Sequence, residues 1–315
     1  MLLYVFEFIT YAFLILSAIF AYRLIRAFFY SQKGKRSKIK LIIAIGLIIG
    51  FLIVFYGSFI ESRMLFVKEY NIDIEKNKSS DRIKIAAISD PHFGPFKKYN
   101  YSQKIADKID QQNPDLIVLL GDYIYGLEEN AKYLEPIVKL NDKYPIYVIT
   151  GNHDYHLPEF RSPKQKDKTQ VLRQVLDKYN LELMENTNQQ LTIKNQQFNL
   201  VGIKEIWTGE ADLDKAMQGV DQSMPTIMLC HNPDFIMQAH DQIDLMLSGH
   251  THGGQIRLPS LGAVPPLPDE LGRKYDEGLF KFNNTQLFIT SGVGEAGPRA
   301  RLFNPPEISI LNVDL

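Results

Sequence analysis

The chain has 315 residues, 45% of them apolar, and a formal net charge of −1, which excludes a disordered polyelectrolyte and allows one large folded domain or two small ones. Its single cysteine, Cys230, excludes an intramolecular disulfide. The charge is divided: residues 1 to 60 carry seven basic residues against Glu7 alone, a surplus of +6, so a total of −1 leaves −7 for residues 61 to 315, a poor electrostatic partner for nucleic acid.

Taken in chain order, the stretch 1 to 22 is apolar except for Glu7, which lies near one end, and is expected to cross a membrane. A signal peptide would need a basic start and a small-residue cleavage site, and the stretch has neither. Residues 41 to 60, LIIAIGLIIGFLIVFYGSFI, contain no charge and match the ~20 apolar residues that span a bilayer as a helix. Between the two, the loop 23 to 40 holds Arg23, Arg26, Lys33, Lys35, Arg36, Lys38 and Lys40, which the positive-inside rule assigns to the cytoplasm. Residues 1 to 60 therefore read as the transmembrane hairpin of a multi-pass inner-membrane protein, with the remainder outside the cytoplasm. A tether over 61 to 80, ending in the polar run Glu75 to Ser80, leads to a folded domain over 81 to 315.

Within that domain, expected strands at 83 to 88, 116 to 120 and 146 to 149 alternate with helical patterns at 99 to 112, 128 to 139 and 169 to 179. This is the grammar of βαβ units and of an α/β fold. The second half is richer in strands, at 197 to 203, 226 to 229, 245 to 247, 286 to 290 and 308 to 313, with one helix near 212 to 219. A proline-rich stretch, 259 to 268, cannot be a central strand and is expected to cross the surface near a site.

Five of the apolar runs end in similar chemistry. They lead into Asp90-Pro91-His92, Asp122, Asn152-His153-Asp154, His231, and His250-Thr251-His252. Carboxyl ends of parallel strands converge on one crevice, so these residues can meet. A lone Asp-x-His or Asn-His-Asp turn is usually ordinary turn chemistry, and a lone histidine usually a satisfied core residue; recurrence at five strand ends is what separates this set from chance. Pro91 disfavours the right-handed helical region for Asp90, so Asp90 is expected to be extended and to point with His92 to one side.

Two carboxylates, one amide oxygen and four imidazoles exceed the four ligands of a tetrahedral zinc and suit two dications ~3.5–4 Å apart, with Asp122 the simplest bridge. The nitrogen and oxygen donors fit manganese, iron or zinc. His153 is expected to act as the general acid, oriented by Asp154. His156 and His240 remain as surface residues or outer neighbours of the site. Trp207 has two readings, packing or the wall of a substrate groove.

The motifs DPH, GDY, GNHD, HNPD and GHTHGGQ, in this order over residues 82 to 313, resemble those of the calcineurin-like metallophosphoesterase family. The HNPD and GHTHGGQ forms and the ending SGVGEAGPRARLFNPPEISI resemble its membrane-associated bacterial branch, which includes YkuE-like and YaeI-like phosphoesterases. Pro91 stands where the family usually has an aliphatic residue, which leaves the ligands intact. The resemblance implies a four-layer α/β/β/α sandwich. It also implies that one metal takes Asp90, His92, Asp122 and His252, and the other Asp122, Asn152, His231 and His250.

Two dications would lower the pKa of a shared water and neutralise charge on the phosphoryl oxygens. Arg301 is expected to contact substrate through forked hydrogen bonds, and Arg299 reads equally as a substrate contact or a solvated residue. Some members of the branch cut the pyrophosphate of UDP-2,3-diacylglucosamine, so the expected partners are the bilayer and a lipid-linked phosphate ester, with no nucleic acid. A general phosphodiesterase or nucleotide phosphatase, and a nuclease, are the enzymatic alternatives. A non-catalytic scaffold would show an eroded ligand set, and this set is complete.

Overall fold

A computed structural model of the protein describes residues 2–31, 38–74, 82–155 and 168–315. Lys33, Lys35, Arg36, His156 and the run Glu75 to Ser80 lie outside the described residues. The chain opens with two long apolar helices, α1 (Leu2–Phe29) and α2 (Lys38–Phe55). A π turn at Tyr56–Ile60 and a short 3₁₀ turn at Glu61–Arg63 continue α2. Both helices are long and apolar enough to cross a membrane. They expose Phe8, Ile15, Ile42 and Leu52, a surface that water disfavours and a bilayer accepts.

The elements that follow are β1 (Phe66–Asp73), β2 (Ile83–Ile88), α3 (Tyr99–Gln112), β3 (Leu116–Leu119), α4 (Glu135–Val138), β4 (Ile146–Val148) and α5 (Thr169–Asp177). Next come β5 (Thr187–Ile193), β6 (Gln196–Gly202), α6 (Leu213–Ala216), β7 (Thr226–Leu229), α7 (Ile236–Ala239) and β8 (Leu245–Ser248). The chain closes with β9 (Arg257–Leu258), β10 (Gly262–Ala263), β11 (Gly278–Phe282), β12 (Thr285–Ile289) and β13 (Glu307–Asp314).

Among the described residues, one large sheet runs β1-β13-β2-β3-β4, a second β11-β12-β8-β7-β6-β5, and β9 and β10 form a small two-stranded ribbon. Alternation along buried strands builds three cores, because successive side chains leave on opposite faces. Ala86 and Ile88 of β2 point to one face, with Ile105 and Ile109 of α3 and Leu172 and Leu176 of α5. Ile83, Ile85 and Ala87 point to the other, where they meet Leu200, Leu229 and Leu247 of the second sheet. Val201, Met228 and Met246 then face Phe235, Ile236 and Ala239 on the far side. Helix, sheet, sheet and helix are the four layers of the fold.

The stretch 61 to 80, expected as a tether, instead contains β1, paired in parallel with β13 from Phe66↔Glu307 to Asp73↔Asp314. A strand of mixed polarity is stable there because it lies at the sheet edge with one neighbour. The 128 to 139 helix is mostly 3₁₀, with only Glu135–Val138 α-helical. At the far end the helices dock onto the domain: Arg301 donates its backbone N–H to Gly57 O at 3.1 Å, and Asn304 N–H donates to Glu61 Oε1 at 2.6 Å.

Candidate metal centre

β2, β3 and β4 are parallel to one another, as are β6, β7, β8 and β12, so the loops that leave β2, β3, β4, β7 and β8 converge at one edge of the sandwich. They bring together Asp90, His92, Asp122, Asn152, His231, His250 and His252, all buried. Asp90 Oδ1 lies 3.8 Å from His92 Nε2, 3.4 Å from His252 Nε2 and 3.9 Å from His231 Nε2. Asp122 Oδ2 sits 3.5 Å from His92 Nε2 and 3.4 Å from His231 Nε2, between the two imidazoles. His250 Nδ1 is 3.0 Å from Asn152 Oδ1.

The backbone is bent to achieve this. Asp90 (φ 56°), His92 (45°), Asp122 (60°), His250 (70°) and His252 (53°) all occupy the left-handed region, which costs a residue with a Cβ free energy. The expectation of an extended Asp90 is therefore overturned. Asp90 N–H donates to Gly121 O at 3.0 Å and His92 N–H to Asp122 O at 3.1 Å, and this stitching of neighbouring loops holds the turn that Pro91 alone does not dictate.

Whether the residues suit a metal can be judged from their unmet valences. Asp90 Oδ1, His231 Nε2 and His250 Nε2 are buried with no hydrogen-bond partner, and His92 Nε2 faces His252 Nε2 at 3.2 Å. Buried polar atoms are otherwise almost always satisfied, and two imidazole nitrogens this close suit a shared cation. Burial pushes His250 down to about 3 and His252 to about 4, and drives His92 well below the usual imidazole range, so these rings present free lone pairs. Burial opposes charge on His231 as well, but Asp122 and Asp90 outweigh it and push that imidazole up. Burial likewise opposes charge on Asp122, and His231 and His153 outweigh it, so the centre attracts positive charge. His231 Nδ1 meets Leu120 O at 2.6 Å, which fixes the ring with Nε2 inward.

Asp154 has a different job from the one expected. Its carboxylate accepts backbone N–H groups of Gly151 (3.0 Å), Asp122 (2.9 Å), Tyr123 (2.9 Å) and Ile124 (3.3 Å). It therefore positions the Asp122 loop, and both of its oxygens are engaged in doing so. His153 stands at the rim, edge-on to His92 at 4.7 Å and roughly parallel to Tyr125 at 5.9 Å. Its backbone N–H donates to Asp122 Oδ1 at 2.6 Å.

Arg301 is fully buried and does not face substrate. Its guanidinium donates to backbone carbonyls of His252 (3.1 Å), Ser291 (2.9 Å), Gly292 (3.3 Å), Asn304 (3.3 Å) and Gly294. A planar fork with five N–H groups can cage converging carbonyls, which the sequence alone did not distinguish from phosphate binding. Arg299 turns to the hairpin instead: Nη2 pairs with Glu7 Oε2 at 3.1 Å, and the guanidinium lies 5.0 Å from the Phe59 ring centroid and 4.5 Å from that of Phe96. Trp207 is a wall of the site, edge-on to His250 at 4.8 Å. It borders a cavity of about 370 Å³ over Asp122, Asn152 and His153, with Ile256 and the proline-rich residues Pro265 to Pro268 opposite.

Sequence reading missed Lys168, whose buried ammonium donates to Ile124 O at 2.9 Å and His153 O at 2.5 Å. It also missed Glu205, buried near the centre, where burial raises its carboxyl to about 7. Neither belongs to a motif, and no spacing pointed to them. His240 lies away from the centre, 2.9 Å from Asp241.

Carboxylates and neutral imidazoles gathered with open valences under an accessible cavity define a metal-dependent hydrolase. A family model, calcineurin-like phosphoesterase, matches residues 83–254. The phosphodiesterase YaeI of Escherichia coli is 32% identical over 73% of this chain and 82% of its own. An uncharacterized metallophosphoesterase of Campylobacter jejuni is 30% identical over 89% of this chain and 73% of its own. The UDP-2,3-diacylglucosamine pyrophosphatase LpxG of Chlamydia muridarum is 28% identical over 73% of this chain and 83% of its own. The chain belongs to the calcineurin-like phosphoesterase family, and its activity is that of a metal-dependent phosphoester hydrolase.

Proposed function

We propose that the protein is a membrane-anchored phosphoesterase that holds two divalent ions, manganese, iron or zinc, and cleaves a lipid-linked phosphodiester or pyrophosphate. The ions would be held by Asp90, His92, Asp122 and His252 on one side and Asp122, Asn152, His231 and His250 on the other. When bound, they supply Lewis acidity toward the phosphoryl oxygens and make water nucleophilic near neutral pH. Asp90 and Asp122 balance their charge. His153 holds a proton at the cavity rim and delivers it to the leaving oxygen, while Trp207 excludes water beside His250.

The observation that carries the lipid reading is the position of the site. Its cavity is bordered by Ala296 and Pro298, and the next residue, Arg299, is paired with Glu7 of α1. The centre thus lies at the open end of the apolar hairpin, where a substrate confined to the bilayer gains effective concentration. The similarity to LpxG makes UDP-2,3-diacylglucosamine the first substrate to test. Purified full-length protein in detergent micelles is expected to cleave it faster than soluble nucleotides. Much faster hydrolysis of soluble nucleotides would reduce the hairpin to an anchor on a general phosphodiesterase.

Orientation is tested separately. The ends of α1 and α2 that flank the basic loop lie opposite the domain, so the catalytic domain is proposed to face away from the cytoplasm. A phosphatase reporter fused after Leu315 should then be active outside it. Fluorescence of a cytoplasmic reporter with no external phosphatase activity would reverse the orientation, and would bring the site to the leaflet where nucleotide-linked lipids are made.

A further inference from the structure

A second cavity, of about 740 Å³, lies between the end of the α2 segment and the start of α3. Ser62 and Arg63, the last residues of the second membrane-competent segment, form one wall. Phe96, Lys98, Tyr99 and Lys104 form the other. Arg63, Lys98 and Lys104 are three cations around one space in a domain that is acidic overall, so the patch is a local feature. The cavity's other charged lining residues are already committed, Lys97 and Glu295 to each other at 2.8 Å and Arg299 to Glu7 at 3.1 Å. Among the described residues, no carboxylate forms an ion pair with Arg63, Lys98 or Lys104; Arg63 donates Nη1 to Phe59 O at 3.0 Å and keeps its charge uncompensated.

Lys104 is fixed on the span's end, its ammonium donating to Arg63 O at 3.1 Å. Burial and, after it, the neighbouring Lys108 push its pKa down. Phe96, Tyr99, Met64 and Phe66 are exposed around these cations. Basic and aromatic side chains at the water end of an apolar helix are the composition of a bilayer interface. A small neighbouring cavity shares Phe96, Lys97, Glu295 and Arg299 with the large one and reaches His92, so the cationic space lies beside the metal centre.

We infer that the cavity between Arg63, Lys98 and Lys104 is a subsite for the phosphate of an anionic phospholipid headgroup at the bilayer surface. The inference rests on the membrane anchoring proposed above and deepens it: the enzyme would read a membrane phosphate at one site while cleaving an ester at the next.

Full-length protein in neutral detergent, titrated with dihexanoyl phosphatidylglycerol, dihexanoyl phosphatidylcholine or inorganic phosphate and followed by native mass spectrometry, tests this. The anionic lipid should bind about tenfold more tightly than the zwitterionic one, and Lys98→Gln with Lys104→Gln should remove that preference. Lys178→Gln with Lys215→Gln, an equal charge loss at remote exposed positions, should keep it. Equal binding of both lipids by the unaltered protein overturns the subsite, as does equal loss in the two double variants. Inorganic phosphate binding as tightly as phosphatidylglycerol also overturns it, in favour of a free-anion site. Hydrolysis of bis-p-nitrophenyl phosphate is measured on the same preparation. Metal-dependent hydrolysis without headgroup preference sinks the subsite alone; headgroup preference without hydrolysis sinks the enzyme reading alone.

Discussion

The metal centre and the junction between hairpin and domain are both rich in buried charge, and they use it in opposite ways. At the junction each charge has a partner, Arg299 with Glu7, Lys97 with Glu295 and with Val293 O at 2.8 Å, and Glu61 with Asn304 N–H, although Glu61 Oε2 and Arg299 Nε stay unmet. At the centre they converge and stop short, leaving Asp90 Oδ1 and His231 Nε2 without hydrogen-bond partners. Closed pairs make architecture and open valences make chemistry. Arg301 and Arg299 belong to the first kind, although their position near the site suggested the second.

The largest test of this contrast is at its most connected point. Asp122→Ala is expected to abolish turnover and empty the centre, as measured by metal analysis of the purified variant; two ions retained per chain would deny Asp122 its bridging place. His153→Ala should keep the metals and lose ~10²–10⁴ in rate on esters with poor leaving groups, with little loss on nitrophenyl esters. Equal losses on both would show that His153 is not the acid.

At the junction the effects should fall on stability. Lys97→Met leaves Glu295 buried and unpaired, which costs about 3–5 kcal/mol in denaturant unfolding, and adding Glu295→Gln should restore most of it. Burial, only partly offset by Glu295, lowers Lys97 to about 8. Between that value and the ordinary 10.5 the unfolded chain binds the proton that the folded chain has lost. Its contribution therefore makes stability rise with pH over that window, and Lys97→Met should flatten the rise. The smallest effect is expected from Glu7→Gln, about 1–2 kcal/mol, since a neutral amide still meets Arg299 at a partly exposed pair. A loss of soluble-ester turnover in that variant would mean that the junction is part of the chemistry after all.

The contrast also explains what the sequence could and could not disclose. Ligands at strand ends were legible because each follows an apolar run, as Asp122 follows Leu116–Leu119. The inner strands were legible for the same reason. Polar edge strands were not, although the apolar edge strand β4 was: β5, TNQQLTI, buries only Leu191 outright, and its one local sign is the two-residue turn Lys194-Asn195, both at positive φ. β1 was hidden in the same way, since its partner is 241 positions away. The role of Asp154 was illegible because backbone N–H groups carry no residue identity. Arg301 was illegible because a guanidinium that cages carbonyls and one that grips phosphate are spelled alike.

The placement of β13 between β1 and β2 also bears on how the protein is made. β1 leaves the hairpin at Phe66, and its partner begins at Glu307, so a ribosome must pass Glu307 before that edge can close. Until then β1 and β2 both present unpaired N–H and C=O groups beside a hairpin that is already apolar enough to insert. Biogenesis would therefore run in a fixed order, insertion first and closure of the sheet last. A chaperone or the bilayer surface itself would have to shield the waiting edge, and shortening the chain within Glu307–Asp314 should yield an inserted but aggregation-prone protein.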